Sequence, residues 1–507
     1  MASHPDPGTG GEFDTVVVGG GSAGCALAGR LAERPGHRVL LLEAGPVTPL
    51  AETRDATSLA ATGATHPLNW AYQADLRPGR AAVVSRGRCL GGSSAINGAN
   101  WVRAHPADAD GWGRAGWTWP ELLPLFVRSE TDLDLHGPLH GADGPMPVRR
   151  PAGALLHPAA ERLLQAADRL GYPAEPDKNA GGPPGAGLVP TNSVAGVRIC
   201  AATAYLREYR PNLTVCGDSP VARVLLDADR VRGVELVSGE IVPAGEVVLA
   251  AGAVASPLVL LRSGIGPADE LRAAGVPVRV DLSGVGRDWS DHPAVFLPFA
   301  DADPPAHPHA HGSQAALNLD CGADPAGDAE ILLFNRPFTP GGDLHLMCVL
   351  QAPDSLGTIS ITSADPRGAP EIRYHYLRTE HDRRRLRHAI RTAAELMRAG
   401  LGVRTAPTGD VLGNDRTLDG WIAGHLTTAV HLSGSAALGS VVDDELRVFG
   451  TRGLRVADTS VLPVVPRRGT AATAVAIGEK AADLLDPRPS GKRRARHQSG
   501  STRSKLD

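Results

Sequence analysis

The chain of 507 residues has few cysteines, few aromatic residues and no long apolar run. Because no apolar stretch reaches the roughly 18 residues that a membrane-spanning helix needs, we expect no transmembrane segment. The first twelve residues lack an apolar core, so we expect no signal peptide. The six cysteines are widely separated, which excludes a closely spaced zinc or dithiol motif. We expect them to be reduced structural thiols in a cytoplasmic protein.

A strong net charge of either sign is also missing. The formal net charge is −4 and both signs are mixed along the chain, which argues against a nucleic-acid partner. The exception is the basic C-terminal end. We expect residues 487–507, like residues 1–11, to be disordered. A solvated tail is one interpretation of the basic end, and peripheral contact with an anionic membrane surface is the alternative.

What the sequence does contain is a glycine-rich turn close to its N-terminus. Residues 13–18 are rich in β-branched residues and predict a buried parallel strand, and residues 25–33 predict a helix. Between them, Gly19, Gly21 and Gly24 have the G-x-G-x-x-G spacing of a dinucleotide-binding turn. Such glycines allow a tight turn, close approach of a pyrophosphate and close packing of helix on strand. The free N–H groups at the start of the helix would then face the phosphates.

An acidic residue supports this interpretation. Residues 38–42 predict a second strand, which ends in Glu43, 19 residues after Gly24. A carboxylate at that place can accept hydrogen bonds from ribose hydroxyls, which favours a dinucleotide without a 2′-phosphate. The order of strand, loop, helix, strand and acid predicts a dinucleotide site, but it does not distinguish FAD from NAD.

Three later segments distinguish the two by resemblance. Residues 87–97 read GRCLGGSSAIN and residues 252–266 read GAVASPLVLLRSGIG. These two segments resemble the signature patterns of the glucose–methanol–choline (GMC) flavoprotein oxidoreductases. Residues 431–435, followed by residues 454–463, resemble the catalytic-histidine and flavin-contacting blocks of the same family. The resemblance covers about residues 12–486.

The resemblance implies FAD as the cofactor. Some members of the family attach FAD covalently through a histidine in the glycine loop, but the matching position here is Ile96. We therefore expect non-covalent FAD. The cofactor-binding residues indicated by the glycine turn and by the resemblance are Gly19, Gly21, Ser22, Ala23, Gly24, Glu43, Ala44, Arg86, Gly91, Gly92, Ser93, Asn97, Gly98, Val221, Asp458, Thr459 and Thr470.

The resemblance also implies an alcohol substrate and a catalytic histidine. Flavin N5 accepts the hydride, and a histidine suits the proton because its pKa lies near working pH. His431 occupies the position of that histidine. The family pairs it with a second His or Asn, but Gly469 stands at that place. Either His431 works alone, or a neighbour such as Arg468 supplies the polar contact, or Gly469 opens the pocket for a bulky substrate.

The other histidines are expected to be non-catalytic, and no metal site is expected. His307, His309 and His311 alternate with Pro and Ala in a predicted loop without an acidic or cysteine partner nearby. His425 lies six residues before His431, which is not the spacing of one helical face. His292 is expected to be a structural residue near the flavin.

A finer resemblance concerns the substrate. Residues 130–134, 137–141 and 144–150, together with residues 464–470, are similar to the mycofactocin-associated branch of the family. This similarity implies a dehydrogenase that acts on a mycofactocinol-type substrate and passes electrons to the respiratory chain. Two alternatives stay open: an alcohol, sugar or choline-type oxidase that produces hydrogen peroxide, and a hydroxynitrile lyase in which FAD is structural.

The expected fold class is α/β (α+β overall), with a Rossmann-like FAD-binding domain and a substrate domain built on an antiparallel sheet. We expect the FAD-binding domain to be discontinuous, with residues 12–150, 190–290 and 440–486. The substrate domain is expected to contain residues 151–189 and 291–439.

Individual elements can be placed within these domains. Residues 246–250 and 454–456 are expected to add parallel strands to the FAD-binding domain. Residues 344–350 and 358–362 are expected in the antiparallel sheet that covers the flavin. Residues 380–399 predict a helix with one apolar face and one solvated, charged face.

Overall fold

The computed structural model describes residues 13–48, 50–301, 303, 306–322, 324–339 and 341–485. The predicted tails, and the end residues 12 and 486 of the predicted FAD-binding domain, lie outside the described residues. The strands are β1 Thr15–Val18, β2 Val39–Leu42, β3 Tyr72–Arg77, β4 Arg80–Val84, β5 Glu130–Asp132, β6 Met146–Val148, β7 Ala186–Leu188, β8 Ser193–Val194, β9 Val197–Arg198, β10 Leu213–Cys216, β11 Val221–Asp227, β12 Arg230–Leu236, β13 Ile241–Pro243, β14 Val247–Leu249, β15 Ile265–Gly266, β16 Val280–Asp281, β17 Pro293–Ala300, β18 Ser313–Leu319, β19 Ala329–Phe334, β20 Leu344–Leu350, β21 Thr358–Ser360, β22 Glu371–Arg373, β23 Val403–Arg404, β24 Thr427–Thr428 and β25 Leu454–Val456. The helices are α1 Ser22–Ala32, α2 Ala51–Arg54, α3 Pro106–Trp112, α4 Trp119–Ser129, α5 Pro158–Arg169, α6 Ala201–Tyr205, α7 Gly252–Arg262, α8 Ala268–Ala273, α9 Glu380–Leu396, α10 Gly409–Gly413, α11 Asp415–His425 and α12 Ala471–Leu484.

A five-stranded parallel sheet holds the glycine turn. Its strand order is β10-β2-β1-β14-β25, and every neighbouring pair is parallel. The strands β1, β2 and β14 are short and wholly buried, as expected of a sheet covered on both faces. The predicted parallel strands at residues 246–250 and 454–456 are confirmed as β14 and β25. Because all five strands run the same way, their carboxyl ends meet at one edge, where ligands bind in such folds.

A seven-stranded sheet faces that edge. Its order is β23-β17-β20-β19-β18-β7, with β24 also paired to β17, and its neighbouring pairs are antiparallel. The predicted strand at residues 344–350 is confirmed as β20 in the middle of this sheet. The predicted strand at residues 358–362 is wrong in its sheet: β21 pairs with β22, in a four-stranded sheet of order β21-β22-β3-β4.

The predicted division into two domains stays a prediction, and the four-stranded sheet crosses it. Strands β3 and β4 lie in the predicted FAD-binding domain, whereas β21 and β22 lie in the predicted substrate domain. The backbone pairing between Arg373 and Asp75 therefore joins the two.

Helix α9 follows the prediction for its apolar face only. Leu386 and Ile390 are fully buried, as predicted for one face of the helix. The charged face is not simply solvated, because Arg385 and Arg387 are also buried. Arg385 pairs with Asp382 at 2.8 Å and Arg387 pairs with Asp419 at 2.9 Å, since a buried guanidinium needs a carboxylate partner.

All six cysteines are free thiols, and five of them are buried. Among the described residues, no helix is both long enough and apolar enough to span a bilayer.

Candidate active site

A cavity of about 1100 Å³ lies between the two main sheets. The carboxyl ends of the parallel strands line one side, through Val18, Glu43 and Ala250. The seven-stranded sheet lines the other side, through residues such as Phe296 and Leu332. Of the residues predicted from the sequence, 16 line the cavity: Gly19, Gly21, Ser22, Ala23, Glu43, Ala44, Arg86, Gly92, Ser93, Asn97, Gly98, Val221, His431, Asp458, Thr459 and Thr470.

Two predicted glycines pack beneath the cavity and do not line it. Gly24 lies against the turn, since a Cβ there would come within 1.9 Å of the Gly19 carbonyl oxygen. The backbone N–H of Gly91 donates to the Gly20 carbonyl at 2.7 Å and so ties the second glycine loop to the first. A Cβ on Gly92 would lie 2.7 Å from the Gly21 Cα, so the two loops approach as closely as backbone allows. Both loops depend on glycine for this contact.

The remaining wall presents groups suited to a dinucleotide. A Cβ on Gly21 would meet no described atom nearer than 3.9 Å, so the turn faces open space there. Helices α1, α7 and α12 all begin at the cavity, and helix N-termini stabilise anions such as phosphate. FAD fits this donor set because it carries a pyrophosphate and a ring system that becomes negatively charged on reduction.

Glu43 lies at the end of β2, at the edge of the glycine turn. Its carboxylate accepts hydrogen bonds from the backbone N–H of Gly20 and of Gly45, each at 2.9 Å. Burial raises the pKa of Glu43 to about 7, although these two N–H groups oppose the shift. The carboxylate keeps lone pairs free for further donors such as ribose hydroxyls.

Asp458 connects two parts of the cofactor wall. One carboxylate oxygen accepts from the Gly252 N–H at 2.9 Å and from the Ser256 hydroxyl at 2.5 Å, and the other accepts from the Ser460 N–H at 2.8 Å. The next residue, Thr459, donates from its hydroxyl to the Leu432 carbonyl at 3.2 Å. The segment that carries His431 is thereby fixed to the start of α7.

His431 and His292 form a direct pair. Their Nδ1 atoms are 3.0 Å apart and their rings are nearly perpendicular, at 80°. The antiparallel pairing of Pro293 with Thr428 explains the contact, because His292 directly precedes β17 and His431 follows β24 by three residues. The sequence interpretation missed this pair, which joins positions 139 residues apart. The adjacent Asp291-His292 was the available signal.

Asp291 holds both histidines by their backbones. One of its carboxylate oxygens accepts from the N–H of His292 and from the N–H of His431, each at 2.7 Å. The other oxygen accepts from the Thr428 hydroxyl at 2.9 Å. Val430 adopts a left-handed conformation, with φ of +58°, as the chain turns towards His431. The position of the pair is therefore fixed by one buried carboxylate.

Both histidines are neutral near neutral pH. Burial and the positive charge of Arg86 lower the pKa of His431 to about 4. Burial lowers the pKa of His292 well below its usual value, and a proton on His431 would lower it further. Between two neutral rings, one Nδ1 must donate a proton and the other must accept it.

The tautomers of the two rings decide which nitrogen of His431 can accept a proton. The carbonyl groups of Pro466 and Gln351 act to raise the pKa of His292, and its Nε2 makes no hydrogen bond of normal geometry among the described residues. A proton on Nε2 of His292 would make its Nδ1 the acceptor and Nδ1–H of His431 the donor. The Nε2 of His431 then presents a lone pair beside Gly469, whose Cβ, if it had one, would lie 3.6 Å away.

The structure does not place Arg468 at His431. Arg468 is buried, its Nη2 faces the Glu175 carboxylate at 3.5 Å, and it does not line the cavity. The side chain in contact with His431 is His292, so we replace Arg468 with His292 as its partner. Arg86 is the arginine near His431: it donates to the Val430 carbonyl and its charge lowers the pKa of His431. The charge of Arg468 acts on His292 and lowers its pKa.

Two groups of acidic and histidine side chains in the described part of the chain are close enough to hold a metal. One contains Glu130, Asp132 and His140, and the other contains His157 and two aspartates. Arginines already pair with the carboxylates of both groups, as Arg103 does with Glu130 at 2.5 Å. The groups are therefore explained as ion-pair networks.

His311 bonds to the Gly98 carbonyl and fixes the cavity edge.

A parallel sheet with a glycine turn, an acidic strand end and a buried histidine pair beside the same cavity defines a dinucleotide-dependent oxidoreductase. Models of the GMC oxidoreductase family match residues 13–294 and 353–478. The chain belongs to the GMC oxidoreductase family and is an FAD-dependent oxidoreductase that acts on CH–OH groups.

Individual relatives cover nearly the whole chain. A GMC-type oxidoreductase from Rhodococcus erythropolis is 39% identical over 93% of this chain and 98% of its own length. An oxygen-dependent choline dehydrogenase from Pseudomonas putida is 34% identical, with 94% of each chain covered. The crystal structure of pyridoxine 4-oxidase from Mesorbium loti is similar with a TM-score of 0.87 and 30% identity, over 94% of this chain and 99% of that one.

Proposed function

We propose that this protein oxidises an alcohol with His431 as the proton acceptor, while His292 sets the tautomer of His431. The observation that carries the proposal is the 3.0 Å contact between the two Nδ1 atoms, which leaves Nε2 of His431 facing Gly469 in the cavity wall. A neutral imidazole held in this way can accept the hydroxyl proton of an alcohol.

When bound, FAD supplies the hydride acceptor, N5 of its isoalloxazine ring. The residues that would hold it are the cavity-lining set of the two glycine loops, Glu43, Val221, Asp458 and the start of α12. His431 takes the proton from the alcohol oxygen at Nε2. Arg86, whose charge already acts on His431, stabilises the negative charge that develops on that oxygen. Gly469 leaves room for the substrate at the same atom.

We further propose that FAD is bound without a covalent bond. Ile96, at the position where a linking histidine would stand, is a buried apolar side chain of the loop. Denaturation with acid should release all of the flavin into the supernatant. Flavin that stays with the precipitated protein would contradict this proposal.

The finer substrate assignment rests on sequence similarity. We propose a dehydrogenase of a mycofactocinol-type substrate that passes electrons to the respiratory chain, from a cytoplasmic location and with peripheral contact to the membrane. Of the segments that support it, residues 464–470 reach the cavity through Gly469 and Thr470. The main alternative is an oxidase, which the similarity to a pyridoxine 4-oxidase favours.

Flavin absorbance tests these proposals. Purified protein is mixed anaerobically with reduced mycofactocin and, separately, with simple alcohols, and bleaching of the oxidised flavin is followed. Bleaching by an alcohol excludes a lyase, in which no net oxidation occurs. Bleaching by simple alcohols but not by the mycofactocin species would contradict the finer assignment. Hydrogen peroxide formed in air at the rate of flavin reoxidation would establish the oxidase.

A further inference from the structure

Along the strands of the seven-stranded sheet, the cavity wall opposite the glycine turn changes from polar to apolar and then to aromatic side chains. Successive cross-strand rows of this sheet are about 7 Å apart. The row that starts next to the histidine pair contains Ala294, Val349, Glu330 and Asn318, so Glu330 lies two strands, about 10 Å, from Ala294. The next row is apolar, with Phe296, Met347, Leu332 and Ala316. Beyond it lie Phe334 and His345, with Phe338 packed against both rings. The polar row therefore starts at the histidine pair, and the aromatic end is remote from it.

The polar end contains a balanced set of charges. The Lys178 ammonium donates to Glu175 at 2.7 Å, to Asn318 at 2.9 Å and to the Gly185 carbonyl at 3.3 Å. Its three N–H groups are thus all used within the protein. Asn318 in turn donates to Glu330 at 3.1 Å, and Arg468 faces Glu175. Two cations and two carboxylates therefore stand in one connected network.

Glu330 is the member of this network that can still accept a ligand. Its carboxylate lines the cavity and is only partly buried. The hydrogen bond from Asn318 uses one of about four acceptor positions on a carboxylate. Lys178 also lines the cavity but has no N–H left to donate. A ligand that reaches Glu330 therefore meets an acceptor.

We infer that the substrate is an uncharged alcohol with an apolar, ring-sized body and a second hydroxyl on that body, and that Glu330 is the specificity-determining residue that accepts a hydrogen bond from this second hydroxyl. The inference rests on the proposed function, because it places the reacting carbinol at His431. The body of the substrate then lies along Leu332 and Met347 towards the aromatic end.

The charges argue against a quaternary ammonium substrate such as choline. Lys178 offsets the negative charge of Glu330, and Arg86 adds a positive charge next to His431. The aromatic end offers little compensation, because Phe296, Phe334 and Phe338 pack against one another with ring centroids 5.1–5.5 Å apart. Asp291 offsets Arg86 in turn, so a cation beside His431 would lose its hydration without meeting an uncompensated negative charge.

Two alcohols of equal shape test the charge preference. Choline has a quaternary nitrogen at the position where 3,3-dimethylbutan-1-ol has a quaternary carbon. The wild-type holoenzyme should show the higher kcat/KM with the uncharged alcohol. Lys178→Met leaves Glu330 without its cation. The ratio of kcat/KM for choline to kcat/KM for 3,3-dimethylbutan-1-ol should therefore rise about tenfold or more. A wild-type preference for choline would overturn the inference.

A second series tests the role of Glu330. The three hydroxybenzyl alcohols are compared with the three methylbenzyl alcohols, which match them in size but lack the second donor. At least one hydroxyl isomer should be preferred, and Glu330→Gln should reduce that preference about tenfold, because the charge-assisted hydrogen bond is weakened. Glu395→Gln, on the exposed side of α9, is the matched control and should leave the preference unchanged. An equal loss of kcat/KM for both series in Glu330→Gln would overturn the assignment.

A binding measurement separates this inference from the proposed function. Cresols and xylenes carry the same ring without a carbinol, and their binding can be followed by the shift they cause in the absorbance of oxidised flavin. A lower Kd for a cresol, lost in Glu330→Gln, supports the subsite even if no alcohol reduces the flavin. Equal Kd values for cresols and xylenes contradict the subsite even if alcohols are oxidised.

Discussion

Replacing His292 by Ala is the sharpest test of the histidine pair. The change removes the acceptor of the His431 Nδ1–H, which lies 3.0 Å away in a buried environment. An unsatisfied buried donor costs about 1–3 kcal/mol. His431 can recover that energy by moving its ring or by shifting its proton to Nε2, and either change removes the lone pair from the cavity. If the whole of this 1–3 kcal/mol is added to the activation free energy of flavin reduction, the rate of flavin reduction should fall about 5- to 150-fold.

The assay is anaerobic stopped-flow reduction of bound FAD by an alcohol that the wild type oxidises. The limiting rate should fall, whereas the apparent Kd for the alcohol should change little, because His292 has no direct contact with the cavity. His292→Asn keeps a side-chain acceptor and should retain more of the rate than His292→Ala. The control is His425→Ala, an exposed position on α11 that should leave the rate unchanged. A His292→Ala protein with full FAD content and a wild-type rate would refute the assignment.

Four further predictions follow from the same site. His431→Ala should keep FAD but reduce flavin about 10²- to 10⁴-fold more slowly, as measured by the same stopped-flow assay; a wild-type rate would rule it out as the base. Because the pKa of His431 is lowered to about 4, the rate of flavin reduction should be flat from pH 6 to 8 and fall as the pH approaches 4; a fall already centred near pH 6.5 would contradict the lowered pKa. Gly469→Ala should fold normally, since its Cβ would lie 3.6 Å from His431, but kcat/KM should drop more for bulky alcohols than for ethanol; equal drops would argue against a role in substrate size. Gly92→Ala should lose FAD on gel filtration, because φ is +53° and its Cβ would lie 2.7 Å from Gly21; retained FAD would show that the two loops can separate.

The cofactor side of the cavity was predictable from the sequence because its determinants are local. Gly19 to Gly24 and Glu43 belong to one strand–helix–strand unit, and their spacing alone specifies the turn and the acidic strand end. Gly24 was predicted to allow close packing of helix on strand, and in the structure it packs against the Gly19 carbonyl and Ala250, the residue that follows β14.

The side of the cavity that carries His431 was only partly predictable from the sequence. His431 was identified by resemblance, but its partner depends on the pairing of β17 with β24, which no local pattern encodes. Arg468 was proposed because it is next to Gly469 in the sequence, yet its side chain turns to Glu175. In the same way, residues 358–362 were predicted as a strand of the sheet that covers the flavin, but β21 pairs with β22, which belongs to a different sheet. In each case the deciding contact is long-range.

The strand pair β17 and β24 gives the substrate wall and the base a common support. His292 precedes β17, His431 follows β24, and Ala294 of β17 begins the row that ends in Asn318. Thr459 also ties the segment of His431 to the cofactor wall, so the proposed proton acceptor is held between that wall and the sheet that faces the substrate. Side chains on the seven-stranded sheet can be exchanged without changing either attachment. A family built in this way can acquire new alcohols by substitution on one sheet face while its hydride acceptor and base keep their places.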